Sequence, residues 1–217
     1  FNQGHVCCAG SRLFVQEGIL EEVKSKLLVR LASLRVGDPM DKNTDIGAIN
    51  SRAQLEKIRE YLDVGVSEGA ELCVGGAGQE VAAGERRGDA SRGAIERSRA
   101  GLPDKGYWCR PCFFANVQPS HRVACEEIFG PVLALMSFRT PEEAIVRANN
   151  SPYGLAAGVW TDKGSKIFEV ARKLEAGVVW LNTYNRFDAA SPFGGFKESG
   201  FGREGGMQGL RPYVELN

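Results

Sequence analysis

From residue 131 to residue 182 the chain alternates apolar, β-branched runs with amphipathic stretches, and the connections between them are only a few residues long. That alternation constrains the fold more than any other feature of the 217 residues. Residues 131–138 predict a strand. Thr140, followed by Pro141, Glu142 and Glu143, predicts a capped helix start with proline at the first helical position, running to Asn149. A strand is expected over 155–161, a helix over 162–175, and a strand over 177–182, where Val178-Val179-Trp180-Leu181-Asn182 is apolar and β-branched. Strand, helix, strand, helix, strand with short links is the pattern of right-handed crossover units on a parallel sheet. Upstream, Ile19, Val23, Leu27, Leu28, Leu31 and Leu34 recur at helical spacing over 18–35, and Leu55, Ile58, Tyr61 and Leu62 do so over 52–67. Gly69 is the expected stop of that second helix, and short strands are expected over 70–74 and 112–117. The Gly-rich tail from Ser191 predicts little regular structure. The fold class expected is α/β, a mostly parallel sheet with flanking helices.

Composition limits what such a fold can serve. The 27 Lys and Arg balance 27 Asp and Glu, which leaves no electrostatic footprint for nucleic acid or an anionic membrane. No apolar run approaches the ~18 residues of a membrane span, and no basic n-region with an apolar stretch opens the chain. Hydrophobic residues at 43% and charged residues at 25% are globular averages that exclude wholesale disorder. One segment departs from these averages. Residues 77–101 hold five Gly, six Ala, five Arg and no aromatic residue, so a solvated insertion reaching to about 77–103 is expected, with one helical turn over 94–99. Its arginines could grip an acidic partner, but four interleaved acids favour a plain soluble excursion.

Six cysteines are present, and their spacing is not that of a disulfide framework. Cys73 and Cys125 sit in apolar or helical contexts where a thiol behaves as a small hydrophobe. Cys109-Arg110-Pro111-Cys112 could be a redox pair or half of a zinc site. No second such pair or clustered His completes four metal ligands, so no metal is expected. The aromatic run 107–114 reads as strand rather than the helix start a redox motif needs, which favours two structural cysteines. The pattern implies a reducing compartment, hence a cytoplasmic location.

Chemistry concentrates at the front. A nucleophilic cysteine must be accessible, partly ionised and close to oxyanion donors. Cys7 and Cys8 are followed by Ala9, Gly10 and Ser11, which let a substrate approach the backbone, and by the positive Arg12. The same small residues could equally pack two cysteines in a core. His5 is a conceivable base for a Cys-His hydrolase, yet on extended backbone residues two apart stand ~6.6 Å from one another, and no orienting Asn or Asp is evident.

Four segments resemble, in order, the signatures of the NAD(P)-dependent aldehyde dehydrogenases: Gln3-Gly4-His5-Val6-Cys7-Cys8-Ala9-Gly10-Ser11-Arg12, Glu126-Glu127-Ile128-Phe129-Gly130-Pro131, Asn149-Asn150-Ser151-Pro152-Tyr153-Gly154-Leu155-Ala156-Ala157, and Ser191-Pro192-Phe193-Gly194-Gly195-Phe196-Lys197-Glu198-Ser199-Gly200. The resemblance covers the whole chain apart from the insertion. It implies oxidation of an aldehyde to a carboxylic acid with NAD or NADP, through a cysteine thiohemiacetal and a thioester. Cys7 would be the nucleophile and its backbone N–H an oxyanion donor. Glu127 would bind the nicotinamide ribose hydroxyls and Phe129 would contact the nicotinamide end. Gln54 and Lys57 would add ribose contacts, and Val6, Cys8 and Phe193 would line the aldehyde pocket. Outside that motif, Glu127 could be a helix-end charge, Phe129 a core residue and Phe193 a loop anchor; Asn182, Gly194 and Gly195 are expected to be structural. The partners implied are a small-molecule aldehyde and further copies of the chain, as a dimer or tetramer.

The sequence also departs from that pattern. His5 stands where the family usually has Gln or Glu. The insertion, with the His5-Val6-Cys7-Cys8 wording, faintly resembles the long, two-lobed branch. No Gly-rich dinucleotide motif is found, nor the upstream Glu base and Asn oxyanion donor, nor the last oligomerisation strand. The chain is therefore expected to be a partial catalytic domain, residues 1–217, not competent alone. The readings that compete are an inactive or pseudoenzyme interaction module, a relative that transfers the acyl group to CoA, and a Cys109–Cys112 redox protein.

Overall fold

The computed structural model describes residues 1–74, 102–103 and 105–215. The insertion expected at 77–103 lies almost wholly outside the described residues. Contacts divide the chain into two compact units, Phe1–Arg139 and Thr140–Asn217.

The first unit is built on a four-stranded sheet: β1 (Arg12–Gln16), β2 (Glu71–Val74), β3 (Cys112–Ala115) and β4 (Val132–Phe138), in the spatial order β1-β4-β3-β2. β4 runs parallel to both β1 and β3, and β2 closes the edge antiparallel to β3. The alternation of side chains across the sheet sends residues to two cores. Cys112, Phe114, Ala134 and Met136 meet helix α2 (Arg52–Ser67), through Leu55, Ile58, Tyr61 and Leu62. Phe113, Ala115 and Leu135 face the other way, against Leu20, Val23, Leu27, Leu28 and Leu31 of helix α1 (Leu20–Ser33). A sheet apolar on both faces and covered by a helix on each is the α/β arrangement the pattern predicts. Ile58, Leu62, Phe113 and Phe114 are almost wholly removed from water, and each such side chain contributes roughly 1.5–3 kcal/mol of burial.

Local signals place the ends of these elements. Ser51 caps α2 by accepting the Gln54 backbone N–H at 3.2 Å, and Gly69 ends it with φ 97°. A single turn of helix, α3 (Arg122–Cys125), leads into the extended segment before β4. The run 107–114 is strand only from Cys112. Residues 107–111 form a connection in which Cys109 packs into the core at 2% exposure. Burial pushes the Cys109 thiol up to about 12 and raises that of Cys112 well above its ordinary range. All six cysteines are free, and among the described residues no cluster of His, Cys, Asp or Glu could hold a metal. No helix of the described residues is long and apolar enough to cross a membrane.

The second unit opens with helix α4 (Pro141–Asn149), whose N-cap Thr140 accepts the Glu143 N–H at 3.3 Å, as the Thr-Pro-Glu-Glu pattern predicts. Strands β6 (Ala156–Val159) and β7 (Val178–Leu181) pair in parallel across helix α5 (Gly164–Lys173), a complete crossover unit. The expectation of one sheet through 131–182 needs correction. β4 belongs to the four-stranded sheet, whereas β6 and β7 form a two-stranded sheet of their own. The short β5 (Tyr153–Gly154) pairs instead with β8 (Phe196–Lys197). The tail from Ser191 is likewise more ordered than its composition suggests. It holds β8, a two-way Phe193–Glu204 backbone bridge at 2.7 Å, and helix α6 (Gly206–Leu210). Glycine there permits close approach: a Cβ on Gly194 would run into the Gly202 carbonyl.

Candidate functional site

The front segment folds as a short 3₁₀ turn, Asn2–Gly4, followed by a second turn in which the Ala9 N–H reaches the Val6 carbonyl at 3.0 Å. Cys7 stands at the tip of that second turn and is exposed, whereas Cys8 is buried at 5% exposure. Burial, and then the neighbouring Cys7, raise the Cys8 thiol above its ordinary range. The two adjacent thiols are thus set apart in character: Cys7 faces solvent, and Cys8, assigned to the aldehyde pocket, packs inward beside it. Val6 is half-buried. No backbone hydrogen bond among the described residues takes up the Cys7 N–H.

The turn is tied down on both sides. Gln3 Nε2 donates to the Ala48 carbonyl at 2.9 Å, and Asn2 Nδ2 donates to the His5 carbonyl at 2.6 Å. Gly4 touches Gly130: a Cβ there would fall onto the Gly130 carbonyl. His5 follows, with its ring 5.8 Å from that of Phe129. Burial lowers the His5 pKa, and its Nε2 is buried without a hydrogen-bond partner among the described residues. The cysteine turn and the 126–130 segment are therefore brought together within one unit.

That second segment separates two adjacent carboxylates. Glu126 accepts the Tyr61 hydroxyl at 2.6 Å and is paired with Arg122 at 2.9 Å. The Arg122 guanidinium, with the Tyr61 hydroxyl, holds the Glu126 carboxyl at about 2. Tyr61 in turn is pushed up to about 12 by burial and by the bond to Glu126. Glu127 is exposed and has no partner among the described residues. An unpaired carboxylate is a pure acceptor, free to receive two hydroxyl donors. Phe129 is half-buried and adopts φ 56°, the left-handed region that non-glycine residues seldom occupy.

Helix α2 supplies Gln54 and Lys57. Lys57 Nζ lies 5.8 Å from the centre of the Tyr61 ring. Gln54 does something the sequence did not disclose: its Nε2 donates to the carbonyls of Ile128 at 2.8 Å and Phe129 at 2.9 Å. The contacts of Gly4 with Gly130 and of Gln54 with the 128–129 backbone were missed in the sequence. Glycine at position 4 was the one signal that could have revealed the first.

Phe193 belongs to the second unit, in an aromatic chain. Its ring meets Phe187 edge-on at 5.1 Å, and Phe187 meets Trp180 at 5.5 Å. Trp180 Nε1 donates to the Arg186 carbonyl at 2.7 Å, which shapes the loop after β7. The Asn182 side chain bonds both the N–H and the carbonyl of Thr161, each at 3.0 Å.

Within an α/β architecture, the structure sets an exposed cysteine in a tight turn against a segment that bears an exposed carboxylate without a partner among the described residues. The profile of the aldehyde dehydrogenase family matches residues 1–217, and the chain belongs to that family. It is 44% identical over 216 residues to human mitochondrial aldehyde dehydrogenase and 43% identical over 216 residues to human retinal dehydrogenase 2. Both alignments take in 100% of this chain and 37% of the relative. Among solved structures, betaine aldehyde dehydrogenase from Staphylococcus aureus in complex with NAD+ superposes with TM-score 0.83 at 36% identity, covering 98% of this chain and 39% of that one. An NAD+ complex of an aldehyde dehydrogenase from Bacillus cereus gives TM-score 0.83 at 39% identity, with the same two coverages. The chain thus spans less than two-fifths of the length of these proteins.

Proposed function

We propose that the natural polypeptide carrying these residues oxidises an aldehyde to a carboxylic acid with NAD or NADP, with Cys7 as its nucleophile. The observation that carries this reading is the exposed Cys7 turn seated, through Gly4, on the segment that bears Glu127 and Phe129. Family membership supports it, as do the NAD+ complexes of two structural relatives. Residues 1–217 would then be part of a catalytic domain. Six free cysteines are consistent with a reducing, cytoplasmic setting and homo-oligomeric assembly follows the family pattern.

The residues present fit the dinucleotide. Glu127 offers an unpaired acceptor suited to a ribose diol, and Phe129 offers an apolar face beside the cysteine turn. In the proposed reaction the Cys7 thiolate forms a C–S bond to the aldehyde carbon, and the carbonyl electron pair moves to oxygen. The Cys7 N–H, which no backbone hydrogen bond among the described residues takes up, would receive that charge, and one such donor contributes ~3 kcal/mol in comparable sites. A nicotinamide held by Glu127 and Phe129 would supply the two-electron acceptor needed to take the thiohemiacetal to the thioester. Water then adds to the thioester carbon and gives one proton to solvent, the C–S bond breaks, and Cys7 leaves as thiolate with the carboxylic acid released. Cys8 is buried and its thiol is raised by that burial, which favours Cys7 over Cys8 as the thiolate.

The test is aldehyde-dependent reduction of NAD and NADP by the natural polypeptide, with Cys7→Ala and Cys8→Ala beside it. Loss of turnover in Cys7→Ala alone supports the reading. Turnover that survives Cys7→Ala overturns it.

A further inference from the structure

We propose that Gln54 is a positioning residue that fixes the backbone at Phe129, rather than a residue that binds the ribose; as it concerns the dinucleotide, this rests on the function proposed above. The Gln54 amide has two N–H donors, and Nε2 directs them to two successive carbonyls, Ile128 at 2.8 Å and Phe129 at 2.9 Å. Neither carbonyl accepts a backbone hydrogen bond among those described, and Ile128 is buried. Without Gln54 both would be left unpaired at a point where Phe129 already holds φ 56°.

The donor comes from a rigid support. Gln54 lies in the first turn of α2, where its own N–H is capped by Ser51, and the next turns are locked into the core by Leu55 and Ile58. From the other side the segment is held by Gly4 against Gly130 and by the His5 ring against Phe129. The left-handed residue is thus clamped between a helix and the cysteine turn. Gln54 sets which way Phe129 and the nearby Glu127 present themselves, and it makes no hydrogen bond to the cysteine turn among the described residues.

Gln54→Glu separates the two roles, because a carboxylate keeps an acceptor for a ribose hydroxyl and loses both donors to the carbonyls. The natural polypeptide is measured in three ways: calorimetric Kd for NAD and NADP, alkylation rate of Cys7 by limiting iodoacetamide, and hydrogen exchange of the peptide 126–131 with no dinucleotide present. Gln54→Glu is expected to speed exchange at 126–131 and weaken dinucleotide binding about tenfold, with Cys7 alkylation changed less than twofold. Gln54→Leu, which lacks donors and acceptor alike, is expected to match it, and Gln54→Lys, which restores a donor, to recover part of both losses. Unchanged exchange at 126–131 in Gln54→Glu overturns the proposal, as does tight dinucleotide binding in Gln54→Glu with loss in Gln54→Leu. If the unsubstituted protein binds neither dinucleotide, the functional reading fails, and the exchange measurement on the free protein still decides the clamp.

Discussion

Gly4 and Gly130 meet backbone against backbone, with no room for a side-chain carbon between them. Gly4 also holds φ 73°, so Gly4→Ala would combine a left-handed strain with an overlap onto a carbonyl that cannot rotate away. The expected loss of stability is about 3 kcal/mol or more, read from urea unfolding. A loss under about 1 kcal/mol would mean that the cysteine turn does not rest on Gly130 as described.

Gly65 sits inside α2, where intrinsic propensity alone favours alanine by about 1 kcal/mol. Packing reverses that preference. A Cβ at Gly65 would approach the Phe114 ring to 2.5 Å, and Phe114 is fully buried in the same core. Gly65→Ala is expected to destabilise by about 1–3 kcal/mol. A more stable variant in thermal unfolding would show that the ring can yield.

How much of this was legible beforehand depends on the range of the interaction. The bounds of α2, the Thr140 cap and the β6–α5–β7 crossover follow from periodicity and capping, which act over a few residues. The separation of β4 from β6 and β7 does not, because strand partnership is a non-local choice that alternation leaves open. The Ser191 tail was misread for the same reason: its order comes from Phe193–Glu204 and β5–β8 pairing across the chain. At the candidate site, Cys7, Glu127 and Phe129 were assigned by motif resemblance, and the contacts that hold their segments together were not legible in it. The bonds of the Gln54 amide to the 128 and 129 carbonyls were not legible, because no pattern in α2 reports which carbonyls lie 74 residues away.

The Glu126–Arg122–Tyr61 group predicts an acid limb in the stability profile. Its folded carboxyl is held at about 2, chiefly by Arg122, against an ordinary value of 4.5. A depressed carboxylate contributes stability that is full above the unfolded pKa and lost as pH falls from about 4.5 through about 2. Glu126 remains 41% exposed on its side chain, so solvent screening holds the contribution to about 1 kcal/mol or less. Glu126→Gln is expected to flatten that limb and leave stability near pH 7 only slightly lower. A profile with an unchanged acid limb would contradict the assignment.

Cysteine labelling should separate exposed from buried thiols. Cys7 and Cys125 are exposed, whereas Cys109 and Cys112 are at 2% and 3% exposure with their thiols raised by burial. Brief treatment with limiting iodoacetamide near neutral pH, followed by mass spectrometry, is expected to label Cys7 and Cys125 and spare the other two. Early labelling at Cys109 or Cys112 would show that the 107–111 connection opens readily, and would revive a redox role for that pair.

Asn182 carries the sharpest test of local backbone in the second unit. It holds φ 51° just past β7, and its side chain closes two bonds to Thr161. Alanine and glycine both delete those bonds, so the lost hydrogen bonding is common to the two variants. They differ only in the backbone, since alanine keeps a Cβ in the left-handed region and glycine does not. Asn182→Ala is therefore expected to be less stable than Asn182→Gly by about 1 kcal/mol, with both below the unsubstituted protein in denaturant unfolding. Equal losses would mean that Thr161, and not the left-handed turn, accounts for asparagine at this position.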